Sequence, residues 1–283
     1  MRQLIVTGDD FGLAVPVNEA IEEAHCRGIL TTASLMVGAE AAADAVERAK
    51  RMPRLKVGLH LVLVEGHAVL SAHAIPDLVD EDGEFSRHLV RAGINFFCRP
   101  GVRQQLEAEI RAQFETFQKT GLSLDHVNAH NHMHLHPTVL GLVLKVGRDY
   151  GYPAVRVPYE PFLASWRASR RGFATRLVVS ALLLPWLMVL KRRLRLACVR
   201  FNDCVFGLHD SGHLDTDLVI RFLAHLPEGV TEMYFHPATR RCPEIEHNMP
   251  DYEHERELKA LIGDGVKDAV RAHDIRLMAF SDL

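Results

Sequence analysis

The chain has 283 residues, of which 48% are hydrophobic and 24% charged, enough for one large α/β domain or two small ones. A formal net charge of −3 gives no general electrostatic reason to bind nucleic acid, and no nucleic-acid partner is expected. Five cysteines, an odd number without a CxxC pair, argue against a disulfide framework and against a thiolate zinc site.

The first predicted strand, residues 4–7, is short and apolar, and it leads into an acidic loop with Asp9 and Asp10. A helix follows over residues 16–24. Two adjacent carboxylates repel each other, so both at one strand end indicate either a bound cation or a carboxyl that transfers protons. The alternative is an N-cap or Asx-turn role, which suits one aspartate better than two.

The next predicted elements are a strand at 29–37, a helix at 40–51 and a strand at 56–64 that carries His60. A single histidine in an apolar strand is more often a hydrogen-bonded core residue than a ligand, so His60 gains weight only from its neighbours. Residues 65–84 are expected to form a loop, and helices are expected at 86–97 and 102–119.

Histidines then dominate the segment that begins with the fourth predicted strand, residues 124–130. On an extended backbone, alternate side chains share one face and can converge on one ion. The alternative is a polar loop whose histidines bond one another. The histidines occupy every even position except Asn128: His126, His130, His132, His134 and His136.

The remaining elements are a helix at 138–150, a strand at 154–157, a helix at 214–226, a strand at 230–235, a helix at 253–273 and a strand at 275–280. Alternating strands and helices predict a parallel sheet, either closed as a barrel or open and doubly wound. Active sites of both architectures lie at the carboxyl ends of strands, and a barrel gathers those ends around one mouth. A barrel is therefore favoured by the chemistry-bearing residues near separate strand ends, namely Asp9, Asp10, His60, His130, Arg156 and His236.

Residues 173–190 differ in composition from the rest of the chain. Their uncharged run of 14 residues, 177–190, is shorter than the roughly 20 needed to span a bilayer, and Pro185 would kink a helix. Basic flanks favour a helical hairpin in the interface of an anionic membrane, and the alternative is a core helix or a dimer contact. The expected lipid contacts are Leu183, Leu184, Trp186 and Leu187.

Four short motifs in this order resemble the YdjC-like carbohydrate deacetylases: TGDDFG at 7–12, GLHL at 58–61, HVNAHNHMH at 126–134 and FHP at 235–237. The resemblance implies a single α/β domain over residues 1–283, a distorted and incomplete (β/α) barrel of about seven parallel strands related to polysaccharide deacetylases. Residues 160–206 would be a helical insertion in it. The NDCVFG stretch at 202–207 and the insertion resemble the branch of the family associated with hopanoid biosynthesis.

By resemblance, Asp10, His60 and His130 bind one divalent metal ion, for which Zn²⁺ is favoured, with Mg²⁺ or another divalent ion as alternatives. Asp9 is then the expected general base, and Arg156 orients Asp9, binds substrate or is a structural ion-pair partner. His236 is the first choice for the general acid. His132 and His134 are the alternatives for the acid or for substrate binding.

The implied reaction is removal of the N-acetyl group from an N-acetylglucosamine unit on a hopanoid lipid. A deacetylase of soluble N-acetylated oligosaccharides is an alternative, and a membrane-docked metal-binding scaffold is a non-enzymatic one. The few apolar residues before Asp9 are too short for a signal-peptide core, so a cytoplasmic enzyme peripheral at the inner membrane is expected.

Overall fold

The computed structural model describes residues 1–152 and 154–283. Short strands alternate with helices along most of the chain. The strands are β1 (Arg2–Phe11), β2 (Thr32–Leu35), β3 (Lys56–Leu61), β4 (Gly66–His67), β5 (Glu84–Phe85), β6 (Leu124–Ala129), β7 (Cys204–Phe206), β8 (Gly229–Phe235) and β9 (Ile275–Met278).

The main sheet has seven parallel strands in the order β6-β3-β2-β1-β8-β7, with β9 paired to β1. The amino-terminal part of β1 lies between β8 and β9, and its carboxyl-terminal part lies between β8 and β2. The predicted parallel barrel of about seven strands is confirmed. The predicted fifth strand at 154–157 is reduced to the isolated bridges Val127–Val155 and Ala154–Arg200, which lead from β6 toward β7 and leave the barrel incomplete.

Helices cover the outside of the sheet. The segment at 102–119 is helical as predicted, because Leu106, Ile110, Phe114 and Phe117 form one buried stripe. The helix expected at 253–273 is interrupted at Gly263 and forms two helices. The helices are α1 (Val15–Arg27), α2 (Ala42–Arg51), α3 (Leu89–Cys98), α4 (Pro100–Lys119), α5 (Pro137–Gly147), α6 (Phe162–Ser169), α7 (Phe173–Leu196), α8 (Thr216–Ala224), α9 (Pro243–Asn248), α10 (His254–Ile262) and α11 (Asp264–Ala272).

The insertion consists mainly of α6 and α7. Helix α7 has 24 residues and continues through Pro185 and the basic residues after it, because Leu190 and Leu194 keep it packed on the barrel. By length and composition alone it could cross a membrane, although a single such helix is weak support for a span. The uncharged run of 14 residues therefore lies within a longer helix, and the expectation that it does not span a bilayer stays a prediction.

The four residues expected to contact lipid do not share one environment. Leu187 is only 3% exposed and belongs to the core, so its assignment as a lipid contact is wrong. Leu183 packs against that core, and Trp186 is half-buried with its indole Nε1 donating to the Leu135 carbonyl oxygen. Leu184 is 42% exposed.

Candidate active site

Two adjacent carboxylates enter the barrel interior at the end of β1 because the strand is irregular there. Asp10 has a left-handed backbone with φ 59°, and the pairing of β1 with β2 shifts register between Gly8 and Phe11. In a regular strand consecutive side chains point to opposite faces, and a bulge removes that alternation. Asp9 and Asp10 therefore both lie buried at the barrel mouth.

Asp10, His60 and His130 form a compact group whose candidate ligand atoms all lie within 4.8 Å of one another. His60 Nε2 and His130 Nδ1 each lie 3.2 Å from Asp10 Oδ1. His60 comes from the end of β3, and His130 follows directly after β6. The barrel thus gathers the ends of three strands at one point.

The hydrogen bonding of His60 indicates that this group is built for a cation. Its Nδ1 lies 2.7 Å from Asn128 Oδ1, an amide oxygen that can only accept, so Nδ1 carries the proton. A ring with its proton on Nδ1 presents the Nε2 lone pair to the Asp10 carboxylate, an arrangement that a cation between the two atoms stabilises. Within residues 1–152 and 154–283, Asp10 Oδ2 is buried without a hydrogen-bond partner. An aspartate and two imidazoles fit a divalent transition metal.

Burial raises the pKa of Asp10. The charges and hydrogen bonds of the neighbouring histidines, of which His130 has the largest effect, lower the pKa by more than burial raises it. The net pKa is well below the usual range. The carboxylate is therefore ionised, which is the form that binds a metal ion.

Asp9 is held by a buried arginine. Arg156 donates from Nη1 and Nη2 to the two oxygens of Asp9 at 2.5 and 3.0 Å, and to Glu232 Oε1 at 2.6 Å. Burial raises the pKa of Asp9, but the charge and hydrogen bonds of Arg156 together with the charges of His60 and His236 lower it by more, so the net pKa is below its usual range. Arg156 is 0% exposed with its guanidinium engaged by two carboxylates, so the expectation that it binds substrate is wrong. It positions Asp9.

A cavity of about 280 Å³ opens beside this group. Asp9, His60, His130, His132 and His236 all line it, so the structure brings most of the predicted site residues together. Its remaining lining residues are Glu65, Leu89, Ala129, Asn131, Leu208, Ser211, Tyr234, Asn248, Met249 and Tyr252.

His236 and His132 lie on the cavity wall in different surroundings. The His236 ring packs edge-on against Tyr252 at 5.2 Å between centroids, and its Nδ1 is buried with no partner among the residues described. Burial lowers the pKa of His236 despite the opposing charges of Asp10 and Asp9. His132 Nε2 lies 3.2 Å from the Tyr234 hydroxyl, and burial lowers its pKa well below the usual range.

The five alternating histidines do not converge on one ion, because the extended backbone ends at Ala129. Residues His130–Leu135 form a 3-10 turn in which Asn131 and His132 have left-handed backbones, and this ends the period of two. His134 is fully buried and donates from Nε2 to the Arg156 carbonyl oxygen, so its assignment to substrate binding or acid catalysis is wrong.

The outer two histidines of the run are structural. His126 lies between Ser34 Oγ and the Asp125 carboxylate, each 3.0 Å away, and its ring stacks on Phe280. His136 packs edge-on against two phenylalanine rings of α3, Phe96 and Phe97.

Sequence reasoning did not identify two residues that organise the site. Asn128 accepts from His60 and donates to Asp9 Oδ1 at 3.2 Å, linking a candidate metal ligand to the neighbouring carboxylate. Among the even positions from 126 to 136, only position 128 is not a histidine, and this break in the pattern could have indicated a separate role for Asn128. The other residue is Glu232. It is the one carboxylate among the apolar residues at the end of β8, and this pattern is typical of an ion-pair partner.

A second cavity, about 360 Å³, adjoins the first and shares Glu65, His130 and Asn248 with it. One part of its lining is apolar, whereas Glu40, Glu84 and Arg87 are among the charged residues of the rest. The apolar side chains are Leu13, Met36, Ala39, Val62 and Pro243. A substrate larger than one sugar ring can therefore extend past His130.

Several known proteins are similar to this chain in sequence. Residues 3–272 match the family described as YdjC-like protein. A protein named carbohydrate deacetylase from Brevibacillus brevis is 42% identical over 160 residues, which are 56% of this chain and 60% of that protein. Another of that name from Vibrio vulnificus is 29% identical over 283 residues, which are 99% of this chain and 96% of that protein.

Solved structures extend the comparison to the fold. A protein from Enterococcus faecalis, described as a cellobiose-phosphate cleavage protein, superposes with a TM-score of 0.74 at 26% identity. That match covers 99% of this chain and 98% of the other. The lactam utilization protein from Thermus thermophilus has a TM-score of 0.51 at 13% identity and covers 98% and 99% of the two chains, and this likeness concerns the fold alone.

Proposed function

Because the chain belongs to the YdjC-like protein family, we propose that it is a divalent-metal-dependent hydrolase that removes the N-acetyl group from an amino sugar. The observation that carries this proposal is the position of Asp10, His60 and His130 beside Asp9 and His236, at one cavity. The names of the Brevibacillus and Vibrio relatives support the same activity.

In this proposal Asp10, His60 and His130 hold the metal ion, which when bound polarises an acetamide carbonyl and acidifies water. Zn²⁺ is the favoured metal for an Asp-His-His set. Asp9 accepts the proton of the attacking water at its carboxylate. Arg156 and Asn128 hold that carboxylate in one orientation, so little reorganisation is needed during the reaction.

His236 donates a proton to the departing amine nitrogen. Because burial lowers its pKa, the protonated ring is a stronger acid than an ordinary histidine and transfers its proton readily. Tyr252 packs against the ring and restricts its orientation. His132 is the second candidate for the acid, since it also lines the cavity and its Nε2 bonds the Tyr234 hydroxyl.

For the substrate we infer an N-acetylglucosamine unit attached to a hopanoid lipid, with the sugar in the cavity beside Asp9 and the aglycone in the adjoining cavity. The apolar lining of that second cavity supports an apolar aglycone. The competing substrate is a soluble N-acetylated oligosaccharide, which belongs to the carbohydrate class that the relatives' names give. A metal-binding scaffold without activity is disfavoured, because a structural site needs no additional carboxylate such as Asp9 in the cavity.

The test is acetate release by the purified protein from an N-acetylglucosaminyl hopanoid and from N-acetylated chitooligosaccharides, assayed in parallel. Release from the hopanoid that chelation abolishes and added Zn²⁺ restores is the expected result. Release from the chitooligosaccharides alone would replace the lipid substrate with a soluble one. Bound metal without acetate release from either substrate would contradict the enzymatic proposal.

A further inference from the structure

Helix α7 presents a broad apolar face to solvent. Only 17% of its most apolar 18-residue window is buried, which is unlike the core helix of a globular domain. The exposed members form two rows along the helix, and within each row successive members are four or seven residues apart. Its large exposed side chains are Phe173, Leu177, Val178, Leu182, Leu184, Met188, Val189 and Leu196.

Contacts along its length hold α7 against the barrel. Near one end, Arg176 donates to both oxygens of Asp210 at 2.7 Å. In the middle, Trp186 donates to the Leu135 carbonyl oxygen at 2.7 Å, and near the other end Lys191 donates to the Asp203 carbonyl oxygen at 2.6 Å. A helix bound to one body at both ends lies along that body, so α7 presents its apolar face sideways and does not cross a bilayer.

Helix α3 adds a second exposed apolar group. Val90, Ile94 and Phe97 are 78%, 58% and 59% exposed. Leu89, at the start of the same helix, lines the cavity that holds Asp9. The apolar face of α3 therefore reaches the mouth of the candidate active site.

Helices α3 and α7 each contact the same short segment, residues 135–137. His136 packs on the α3 ring of Phe97 at 6.4 Å between centroids, and its neighbour Leu135 accepts the hydrogen bond from α7. Arg193 of α7 donates to the Pro137 carbonyl oxygen at 3.4 Å. We call the exposed side chains of α3 and α7 the rim surface. They lie on either side of a segment that begins five residues after His130.

The charge of the rim surface has one sign. Residues 86–106 and 161–202 contain no aspartate or glutamate. Among the residues that the structure describes, Arg91, Arg170, Arg171 and Arg192 are exposed and form no ion pair with a carboxylate. A second copy of this face would therefore bring like charges together, whereas an anionic lipid interface complements both the charges and the apolar side chains.

We propose that the rim surface docks the enzyme on anionic phospholipid bilayers, with α3 and α7 in the plane of the interface and the cavity mouth facing the membrane. This extends the proposed function by placing the enzyme where a lipid-linked sugar is found. Vesicle binding is measured without turnover, so it fails or succeeds independently of the deacetylase activity.

The experiment is flotation of the purified full chain with vesicles of phosphatidylcholine that contain increasing fractions of phosphatidylglycerol. Binding should rise with the phosphatidylglycerol fraction and weaken in high salt, because salt screens the arginine charges. Leu182→Glu on α7, Phe97→Glu on α3 and Arg192→Glu should each lower the partition coefficient by about tenfold or more.

Matched controls lie on β9, which pairs with the amino-terminal part of β1, away from the mouth. Leu277→Glu and Arg276→Glu make the same chemical changes at exposed sites and should bind vesicles like the wild type. Equal binding to pure phosphatidylcholine, or full binding by the α3 and α7 variants, would overturn the proposal. So would a wild-type dimer in gel filtration that Leu182→Glu converts to a monomer, since the surface would then be a self-interface.

Discussion

Two buried arginines in this molecule each lie between two carboxylates, one inside the barrel and one in the insertion. Arg156 binds Asp9 and Glu232, and all three side chains are at most 3% exposed. Arg176 of α7 binds Glu160 and Asp210, of which Asp210 is 11% exposed. We call Arg156, Asp9 and Glu232 the inner grouping, and Arg176, Glu160 and Asp210 the outer grouping. The two groupings differ in what they hold in place.

The pKa values of their carboxyl groups differ in direction. Burial raises the pKa of Asp9, but Arg156 and nearby histidines lower it by more, and Asp9 remains ionised at the cavity. Burial raises the pKa of Glu160 to about 7, because the Ser165 hydrogen bond and the Arg176 charge only partly offset burial and the charge of Asp210 adds to the rise. A buried arginine alone therefore does not determine the charge state of its partner.

Their roles follow from position. Asp9 lines the cavity beside the candidate metal ligands. Glu160 accepts from the backbone N–H of Leu208 at 2.7 Å, and Leu208 and Ser211 line the same cavity. The inner grouping thus orients Asp9, the proposed base, and the outer one attaches the insertion to the loop at the cavity mouth.

The largest expected effect is on kcat, and it should be confined to the inner grouping. Asp9→Asn should lower kcat by about 10²–10⁴-fold with metal content unchanged, because it removes the proton acceptor and leaves the ligands in place. Asp210→Asn, the matched change in the outer grouping, should alter kcat by no more than a few-fold. The measurements are acetate release and elemental analysis of both variants. An Asp9→Asn protein that kept near-normal turnover would remove Asp9 from the role of base.

Breaking the inner grouping should cost more stability than breaking the outer one. Arg156→Met leaves Asp9 and Glu232 buried without their cation and should lower the free energy of unfolding by about 4–5 kcal/mol. Urea denaturation followed by circular dichroism measures it. Arg156→Lys, which keeps the charge but loses the two-pronged contact, should cost less, and a loss below about 1 kcal/mol for Arg156→Met would show that the pair adds little.

The outer grouping should lose less when its arginine is removed. For Arg176→Met we expect a loss of about 3 kcal/mol, at the low end for a buried pair, because Asp210 can reach water and Glu160 can take up a proton. The same urea titration measures it. A loss equal to that of Arg156→Met would mean that the charge states of the two groupings do not differ as described.

The smallest effect is a pH dependence. The pKa of Glu160 is about 7 in the folded chain, above the ordinary value of 4.5 that applies to the unfolded chain. The contribution of Glu160 to stability is therefore complete below pH 4.5 and is lost as the pH rises through 7. Between pH 5 and 8 the wild type should lose about 2 kcal/mol relative to Glu160→Gln. Unfolding curves at both pH values for both proteins provide the measurement, and parallel pH profiles would contradict the raised pKa.

The sequence was sufficient to predict the parallel barrel and the clustering of Asp10, His60 and His130. Strands that alternate with helices predict a parallel sheet, and His60 and His130 then lie at strand ends that meet Asp10. Asn128 was not identified because its role depends on the tautomer of His60, which becomes visible only once β3 and β6 are paired. The left-handed backbones of Asn131 and His132 also depend on tertiary packing, and they separate His134 and His136 from the site.

The insertion was harder to predict because charge is a poor guide to where a helix that packs on the barrel ends. The uncharged run stops at Leu190, yet α7 continues to Leu196, since Leu194 faces the barrel while its charged neighbours face outward. Leu187 illustrates the same limit. Leu187 lies in an apolar run that suits a lipid contact, and only the three-dimensional packing shows that its side chain faces the core.

Metal content measured together with activity tests the central claim most directly. Elemental analysis of the wild type, Asp9→Asn and Asp10→Asn, with acetate release from each, should give about one divalent ion per chain in the first two proteins. Asp10→Asn should lose both the metal and the activity, and chelation should inactivate the wild type until Zn²⁺ is restored. Full activity of the wild type after complete metal removal, or of Asp10→Asn without bound metal, would contradict a metal-dependent deacetylase at this site.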